Sequence, residues 1–164
     1  MEISGKVIKY GDNVNTDLII PGKFLVLTDP KALARHAMEG LDSEFLQKLK
    51  DRKIVVAGKN FGSGSSREQA PLALKYAGVR CVLADSFARI FYRNAINIGL
   101  PVLECEGISG TVKDGDKVQI DLGTGVIEDL TLGVKLPTVP TPEFLMEIMK
   151  IGLIEYIKKR RRRM

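Results

Sequence analysis

Tryptophan is absent from this 164-residue sequence, and only two cysteines and one histidine occur in it. Cys81 and Cys105 form no C-x-x-C pair. With His36 they provide neither the ligand spacing of a zinc site nor the thiolate set that usually holds an iron–sulfur cluster. Both cysteines lie in or beside short apolar runs, so we interpret them as buried strand residues. Any metal used with this chain must therefore come mainly from elsewhere.

Long apolar runs are missing as well. No stretch approaches the ~18 residues that indicate a membrane span. Residues 1–6 place a glutamate at position 2 and contain no apolar stretch, unlike a secretory signal peptide. We therefore expect no membrane partner and, by default, a cytoplasmic location.

Basic residues are in modest excess, and they are unevenly placed. The net charge is +5, but six basic residues occupy 158–163, so the rest of the chain is close to neutral. Cations suit the C-terminal end of a helix, and we interpret residues 158–164 as a solvated, flexible tail. A nucleic-acid-binding tag is the alternative, but no series of base-stacking aromatic residues accompanies the tail. Nucleic acid is thus not the expected partner.

Hydrophobic residues make up 45% of the chain and charged residues 27%, which is typical of one globular domain spanning residues 1–164. Residues 54–58, 81–84 and 101–103 are apolar strand candidates separated by predicted helices over 66–77 and 86–97, the second capped by Ser86. This alternation predicts an α/β fold with a parallel sheet. Residues 3–10 predict a first strand, residues 117–122 and 126–130 a hairpin, and residues 143–157 a terminal helix after a stiff, proline-rich connector.

The loop after residues 54–58 is rich in glycine and serine. Gly62 and Gly64 permit sharp turns, and Arg67 can grip a carboxylate with two hydrogen bonds. Ser65 and Ser66 stand at the predicted helix start, where free N–H groups and the helix dipole favour anions. The glycine spacing matches neither a P-loop nor a dinucleotide fingerprint. The local pattern leaves two functions open: an anion site, or plain capping of the helix by Ser65 or Ser66.

Four ordered motifs resemble the swivelling domain of aconitases and of isopropylmalate isomerase small subunits. They are NTDLIIPGKF at 15–24, NFGSGSSRE at 60–68, SFARIF at 86–91 and NIGLP at 97–101. The resemblance covers about residues 5–133. It implies a single swivelling β/β/α domain with a mainly parallel central sheet, flanking helices and an additional antiparallel hairpin.

The resemblance also implies roles for individual residues. Ser65 matches the base that removes a proton from substrate carbon, while Ser66 and Arg67 match positions that bind substrate carboxylate. Thr16 and Asp17 match an active-site pair, although a turn cap is an alternative role for Asp17. Arg89 lies in a family motif, but we interpret it as a structural helix arginine. Gln69 departs from the histidine usual in aconitases, which favours the isopropylmalate or homoaconitate branch.

The substrate group that varies within the family would meet the loop after Pro21-Gly22. Val26 and Leu27 suit an isopropyl group, which predicts isomerisation of 2- and 3-isopropylmalate, a reaction of leucine biosynthesis. An apolar pocket would also disfavour the extra carboxylate of a tricarboxylate. The alternatives are that Val26 packs in the core, that the chain is a homoaconitase small subunit, or that it is a non-catalytic binding module.

The implied reaction is dehydration and rehydration of a malate-type acid by a hydro-lyase. A 4Fe-4S cluster would act as Lewis acid on the leaving hydroxyl. Because this chain lacks the thiolates, the resemblance implies that a large partner subunit carries the cluster. We expect a heteromer, or a higher assembly of it, and no isomerase activity from this chain alone.

Overall fold

The computed structural model describes all residues from 1 to 164. One seven-stranded sheet runs through the molecule in the order β4-β3-β2-β1-β5-β6-β7. The strands are β1 (Glu2–Lys9), β2 (Arg52–Ala57), β3 (Cys81–Ala84), β4 (Val102–Glu104), β5 (Lys117–Asp121), β6 (Val126–Asp129) and β7 (Val134–Pro137).

Eight helices accompany the sheet. They are α1 (Thr16–Ile19), α2 (Pro30–Ala34), α3 (Phe45–Lys48), α4 (Gln69–Ala77), α5 (Arg89–Asn97), α6 (Ile108–Thr111), α7 (Glu143–Ile151) and α8 (Leu153–Arg163). A single 3₁₀ turn covers Gly22–Phe24. None of the helices is both long and apolar enough to cross a membrane.

The strands β1, β2, β3 and β4 form the parallel half of the sheet. All four residues of β3 are buried, as are the last four of β2, so these strands are continuous apolar runs. Such runs are typical of parallel strands that are covered on both faces. The chain steps to the next strand in the same direction each time, and right-handed crossovers therefore place the connecting helices on one face. Contacts of α4 with both α2 and α5 agree with this arrangement.

The antiparallel half starts from the same central strand. The first half of β1 pairs with β5, with Ile3 opposite Ile120, whereas its second half pairs with β2. Alternating burial along β5 and β6 indicates one covered face, and the predicted hairpin is confirmed. The third antiparallel strand, β7, was not predicted; only its last residue, Pro137, belongs to the proline-rich connector, and β7 pairs with β6 at the sheet edge. The expected α/β fold is thus confirmed, but the sheet is mixed rather than mainly parallel, with three parallel and three antiparallel strand pairs.

The predicted terminal helix over 143–157 is wrong as a single element. Gly152 adopts φ +83° and ψ 157°, which separates α7 from α8. A side chain at Gly99 would meet the Gly152 nitrogen at 3.1 Å, so the break lies in a tight backbone contact. Residues 158–163, interpreted as a flexible tail, continue α8 as exposed helical residues, and their flexibility remains a prediction.

Both cysteines are buried, as predicted. Burial raises the pKa of each thiol, most strongly for Cys81 within β3. His36 stacks against Phe24 with ring centroids 3.6 Å apart and interacts with Glu39, so both its ring face and its Nδ1 atom are used in contacts within the chain.

Candidate functional site

The glycine–serine loop meets two other loops where the parallel strands end. The first covers residues 10–15 after β1, the second residues 58–68 after β2, and the third residues 85–88 after β3. Carboxyl ends of neighbouring parallel strands share one edge of a sheet, which is where open α/β sheets bind ligands. The fold therefore brings three of the four sequence motifs together.

Backbone hydrogen bonds hold the first two loops side by side. The N–H of Asn13 donates to the Lys59 carbonyl at 2.8 Å, that of Gly62 to Val14 at 2.8 Å, and that of Thr16 to Ser63 at 2.8 Å. This short ladder fixes the position of the glycine–serine loop against the start of α1.

Buried Thr16 adds a side-chain contact to this ladder. Its hydroxyl donates to the Ser65 carbonyl at 3.0 Å. Thr16 therefore orients the backbone of Ser65, while the Ser65 hydroxyl remains on an exposed residue. The two motifs to which active-site residues were assigned therefore lie together, and the catalytic roles themselves stay predictions.

The third loop is tied to the second through Phe61. The Phe61 N–H donates to the Ser86 carbonyl at 3.0 Å, and the Ala88 N–H returns to the Phe61 carbonyl at 2.9 Å. Ser86 was expected to cap α5, but the N-cap residue is Ala88, and the Ser86 hydroxyl instead accepts the Asn60 N–H at 2.9 Å. The polar side chain of Ser86 therefore joins two loops rather than starting a helix.

The helix after the glycine–serine loop begins later than expected. It starts at Gln69 with Glu68 as N-cap residue, and no side chain caps it. The capping function considered for Ser65 and Ser66 is therefore wrong, since both lie in the loop and are exposed. Backbone N–H groups of Ser65, Ser66 and Arg67 donate no hydrogen bond within the chain. These free donors are suited to an anionic ligand.

A cavity of about 220 Å³ opens over this loop. It brings together four of the predicted site residues, Thr16, Ser65, Ser66 and Arg67. Its remaining lining consists of Gly62, Gly64, Ala88, Arg89, Ile90 and Phe91. No acidic side chain lines the cavity, so its charge is positive.

The arginine of the loop is held by two acceptors. Nη1 of Arg67 donates to Asp17 Oδ1 at 3.2 Å and to the Ile20 carbonyl at 3.1 Å. Asp17 Oδ1 also accepts the Gly22 N–H at 3.1 Å, so Asp17 both closes a turn and positions Arg67. The hydrogen bond from Arg67, followed by that from Gly22, lowers the pKa of Asp17, whose carboxylate stays charged at neutral pH.

The two predicted specificity residues lie outside the cavity lining. Val26 is 82% exposed, so the alternative that it packs in the core is wrong. Leu27 is partly buried and packs against the core. The 3₁₀ turn that precedes them starts at Gly22, beside Arg67, which links this loop to the site. A role of Val26 and Leu27 in substrate choice remains a prediction.

Sequence reasoning missed the part of the cavity formed by α5. Arg89 was interpreted as a structural helix arginine, and Ile90 was given no role. Both are exposed and line the cavity. The SFARIF motif was the available signal, but only the pairing of the second and third loops brings it beside Ser65.

No group of three or more His, Cys, Asp or Glu side chains is arranged in the structure so that it could hold a metal ion. Cys81 lies within a central strand and Cys105 follows β4, and both are covered by the core.

Comparisons with known proteins bear on these observations. Residues 34–106 match the family model of the aconitase C-terminal domain. The 3-isopropylmalate dehydratase small subunit of Halothermothrix orenii is 57% identical over 96% of this chain and 96% of its own length. The isopropylmalate/citramalate isomerase small subunit of Methanocaldococcus jannaschii is 55% identical over 96% of this chain and 95% of its own length.

A solved structure agrees with these relatives. The crystal structure of 3-isopropylmalate dehydratase from Methanocaldococcus jannaschii superposes with a TM-score of 0.90 at 47% identity, covering 98% of this chain and 96% of that chain. Sequence and fold thus match over nearly the whole length. The chain belongs to the 3-isopropylmalate dehydratase small-subunit family and has the fold of the aconitase C-terminal domain.

Proposed function

We propose that this chain is the small subunit of a hydro-lyase that interconverts 2-isopropylmalate and 3-isopropylmalate in leucine biosynthesis. The observation that carries the proposal is the cavity that joins Ser65, Ser66, Arg67 and Thr16 at the carboxyl edge of the sheet. Relatives of nearly the same length that are named for this reaction support it.

Ser65 is the base in this proposal. As the alkoxide, its Oγ removes a proton from one substrate carbon and becomes a hydroxyl, the neighbouring carbon loses its hydroxyl as hydroxide, and an alkene forms. Hydroxide then adds to the carbon that lost the proton, and the proton returns from Ser65 to the carbon that lost the hydroxyl. A serine hydroxyl needs a strongly positive environment to act as a base at neutral pH, and the arginines and free N–H groups of the cavity supply one.

Arg67 and Ser66 bind substrate carboxylate in the same scheme. Arg67 uses Nη1 for Asp17 and the Ile20 carbonyl, which leaves its other nitrogens for a ligand. The two acceptors also hold the guanidinium plane in place, and a pre-positioned arginine binds carboxylate with less loss of side-chain entropy. Asp17 is thus a positioning residue for Arg67, and Thr16 is one for Ser65.

The remaining chemistry is assigned to a large partner subunit. A 4Fe-4S cluster held there would supply a Lewis acid for the departing hydroxyl. The pairing of a small with a large subunit agrees with the names of the relatives. A cytoplasmic location and a small dicarboxylate substrate belong to the same proposal.

Substrate choice is the finer part of the proposal. The exposed apolar side chain of Val26, together with Leu27, would contact the isopropyl group when the partner subunit closes the site. Citramalate, which the name of the Methanocaldococcus jannaschii relative includes, carries a smaller apolar group at this position. Homoaconitate carries an additional carboxylate and would have to place it against these apolar side chains.

The test is activity of the chain reconstituted anaerobically with its cluster-bearing large subunit. Isopropylmalate, citramalate and homoaconitate are compared, and we expect preference for isopropylmalate. Ser65→Ala should lower kcat at least ~10²- to 10⁴-fold, the range for loss of a general base. Preference for homoaconitate would overturn the specificity argument and leave the mechanism intact.

Ser63→Ala is the matched control for this test. Ser63 lies two residues from Ser65 and outside the cavity lining, and it accepts the Thr16 N–H through its backbone, which the variant keeps. We expect near wild-type turnover from it. Undiminished turnover in Ser65→Ala, or isomerase activity of the small chain without its partner, contradicts the proposal.

A further inference from the structure

Arg89 is a second arginine in the cavity that contains Ser65. It is the first residue of α5, it is exposed, and it lines the cavity together with Ser66 and Arg67. Its position is therefore at the site rather than on a remote helix face.

The Arg89 side chain makes no hydrogen bond and no ion pair within the chain. The arginines that donate side-chain hydrogen bonds are Arg52, Arg67, Arg80 and Arg160, and none of the ion pairs includes Arg89. A cation in the first turn of a helix also opposes the helix dipole, which favours acids there. Arg89 thus slightly destabilises α5, and a favourable interaction with another group would explain an arginine at this position.

The cavity has an uncompensated charge at this residue. The charge of Arg67 is already paired with Asp17, at 3.2 Å between Nη1 and Oδ1. Because the cavity lining contains no acid, Arg89 is its free cation. An anion in the cavity can therefore interact with Arg89 without first breaking an ion pair.

The start of α5 is fixed relative to the glycine–serine loop. The N–H of Ala88 donates to the Phe61 carbonyl at 2.9 Å. Gly62 lies so close to the Phe91 ring that a Cβ atom on Gly62 would be 2.2 Å from Phe91 Cγ. These contacts hold the backbone of Arg89 at a constant position with respect to Ser65, as a recognition residue requires.

We propose that Arg89 binds one carboxylate of a malate-type dicarboxylate, while Arg67 and the free N–H groups of the loop bind the other. The inference rests on the proposed function, which supplies the dicarboxylate. It assigns one arginine to each carboxylate and so accounts for an unpaired cation beside the proposed base. A monocarboxylate would pair with only one of the two arginines.

The experiment compares Arg89→Gln, Arg89→Lys and Arg93→Gln in the reconstituted heteromer. Arg93 is the matched control because it lies one helical turn further along α5, is exposed and has no ion pair. It lines only the neighbouring cavity, which Arg89 also borders, and it does not line the cavity of Ser65. Loss of a charge-assisted contact made in both ground and transition states should raise KM for isopropylmalate about 10- to 100-fold in Arg89→Gln, with kcat little changed. Arg89→Lys keeps the positive charge but loses the planar guanidinium, so its KM should lie between those of the wild type and Arg89→Gln.

A binding measurement separates this inference from the proposed function. Calorimetric titration of the heteromer with 2-isopropylsuccinate, the substrate without its hydroxyl, should show the same loss of affinity in Arg89→Gln and none in Arg93→Gln. An inactive wild-type heteromer would refute the proposed function, whereas this titration would still decide the role of Arg89. Unchanged dicarboxylate affinity in Arg89→Gln overturns the inference. The inference is also overturned if Arg89→Gln weakens binding of the large subunit but leaves the dicarboxylate affinity of the assembled heteromer unchanged.

Discussion

Gly62 permits a direct test of how the loop is held. Its backbone has φ +82°, and a Cβ atom would lie 2.2 Å from Cγ and 2.4 Å from Cβ of Phe91. Phe91 is only 3% exposed, so its ring has little free space to move into. Gly62→Ala therefore introduces both backbone strain and a steric overlap in the core.

The magnitude follows from these two contributions. An L-residue with positive φ costs about 1–2 kcal/mol, and overpacking a core costs about 1–3 kcal/mol. We expect Gly62→Ala to lower the free energy of unfolding by about 2–5 kcal/mol. For a domain of this size that corresponds to a decrease in Tm of roughly 4–20 °C.

Gly64→Ala is the matched control. Gly64 has φ +96°, but the nearest atom to its Cβ position is Thr16 Oγ1 at 3.4 Å, an ordinary contact. This variant carries the strain alone and should cost about 1–2 kcal/mol. Urea denaturation of the full chain measures both variants. Equal destabilisation by the two substitutions would refute the assignment of Gly62 to a close approach with Phe91.

Two further predictions concern regions away from the site. Asp129 is buried with no hydrogen-bond partner for Oδ2, and burial, together with nearby Asp116, raises its pKa. Its contribution to stability is therefore full below the unfolded pKa of about 3.9 and is lost as pH rises through the raised folded pKa. Asp129→Asn should remove that dependence in urea titrations from pH 4 to 8 and add about 0.5–1.5 kcal/mol at pH 7; a loss of stability at pH 7 would contradict this. Removal of residues 158–164, which are all exposed, should change the free energy of unfolding by less than about 0.5 kcal/mol and leave heteromer activity intact. Salt-dependent DNA or RNA binding that disappears in the truncated chain would revive the nucleic-acid alternative.

Strands of the parallel half were predictable because buried parallel strands are short apolar runs that stand out from their surroundings. Residues 54–57 and 81–84 are such runs, and glycine or polar residues bound them. The edge strand Val134–Pro137 was not predictable in this way, because three of its four residues are exposed and it contains no continuous apolar run. Its pairing with β6 depends on where the hairpin lies, and proline is tolerated in an edge strand where the N–H group would face solvent and remain unpaired.

Helix starts were predicted less well than strands. Ser65, Ser66 and Ser86 are good N-cap residue types, yet the first two lie in a loop and the third joins that loop to its neighbour. The same serine hydroxyl can cap a helix or bond to a distant backbone, and sequence spacing does not distinguish the two. Gly152 similarly ends α7 because it packs against Gly99, a contact between residues far apart in the chain.

The sequence by itself determined the α/β class, the buried cysteines, the family and the loop that contains Ser65 and Arg67, because these depend on local composition and ordered motifs. Only the tertiary structure decided which side chains share the cavity. It paired Asp17 with Arg67, left Val26 outside the cavity lining, and placed Arg89 beside the proposed base. The physical reason is that these neighbours come from three separate segments: the start of α1, the glycine–serine loop and the start of α5. The relative positions of these segments depend on strand order and on long-range backbone hydrogen bonds.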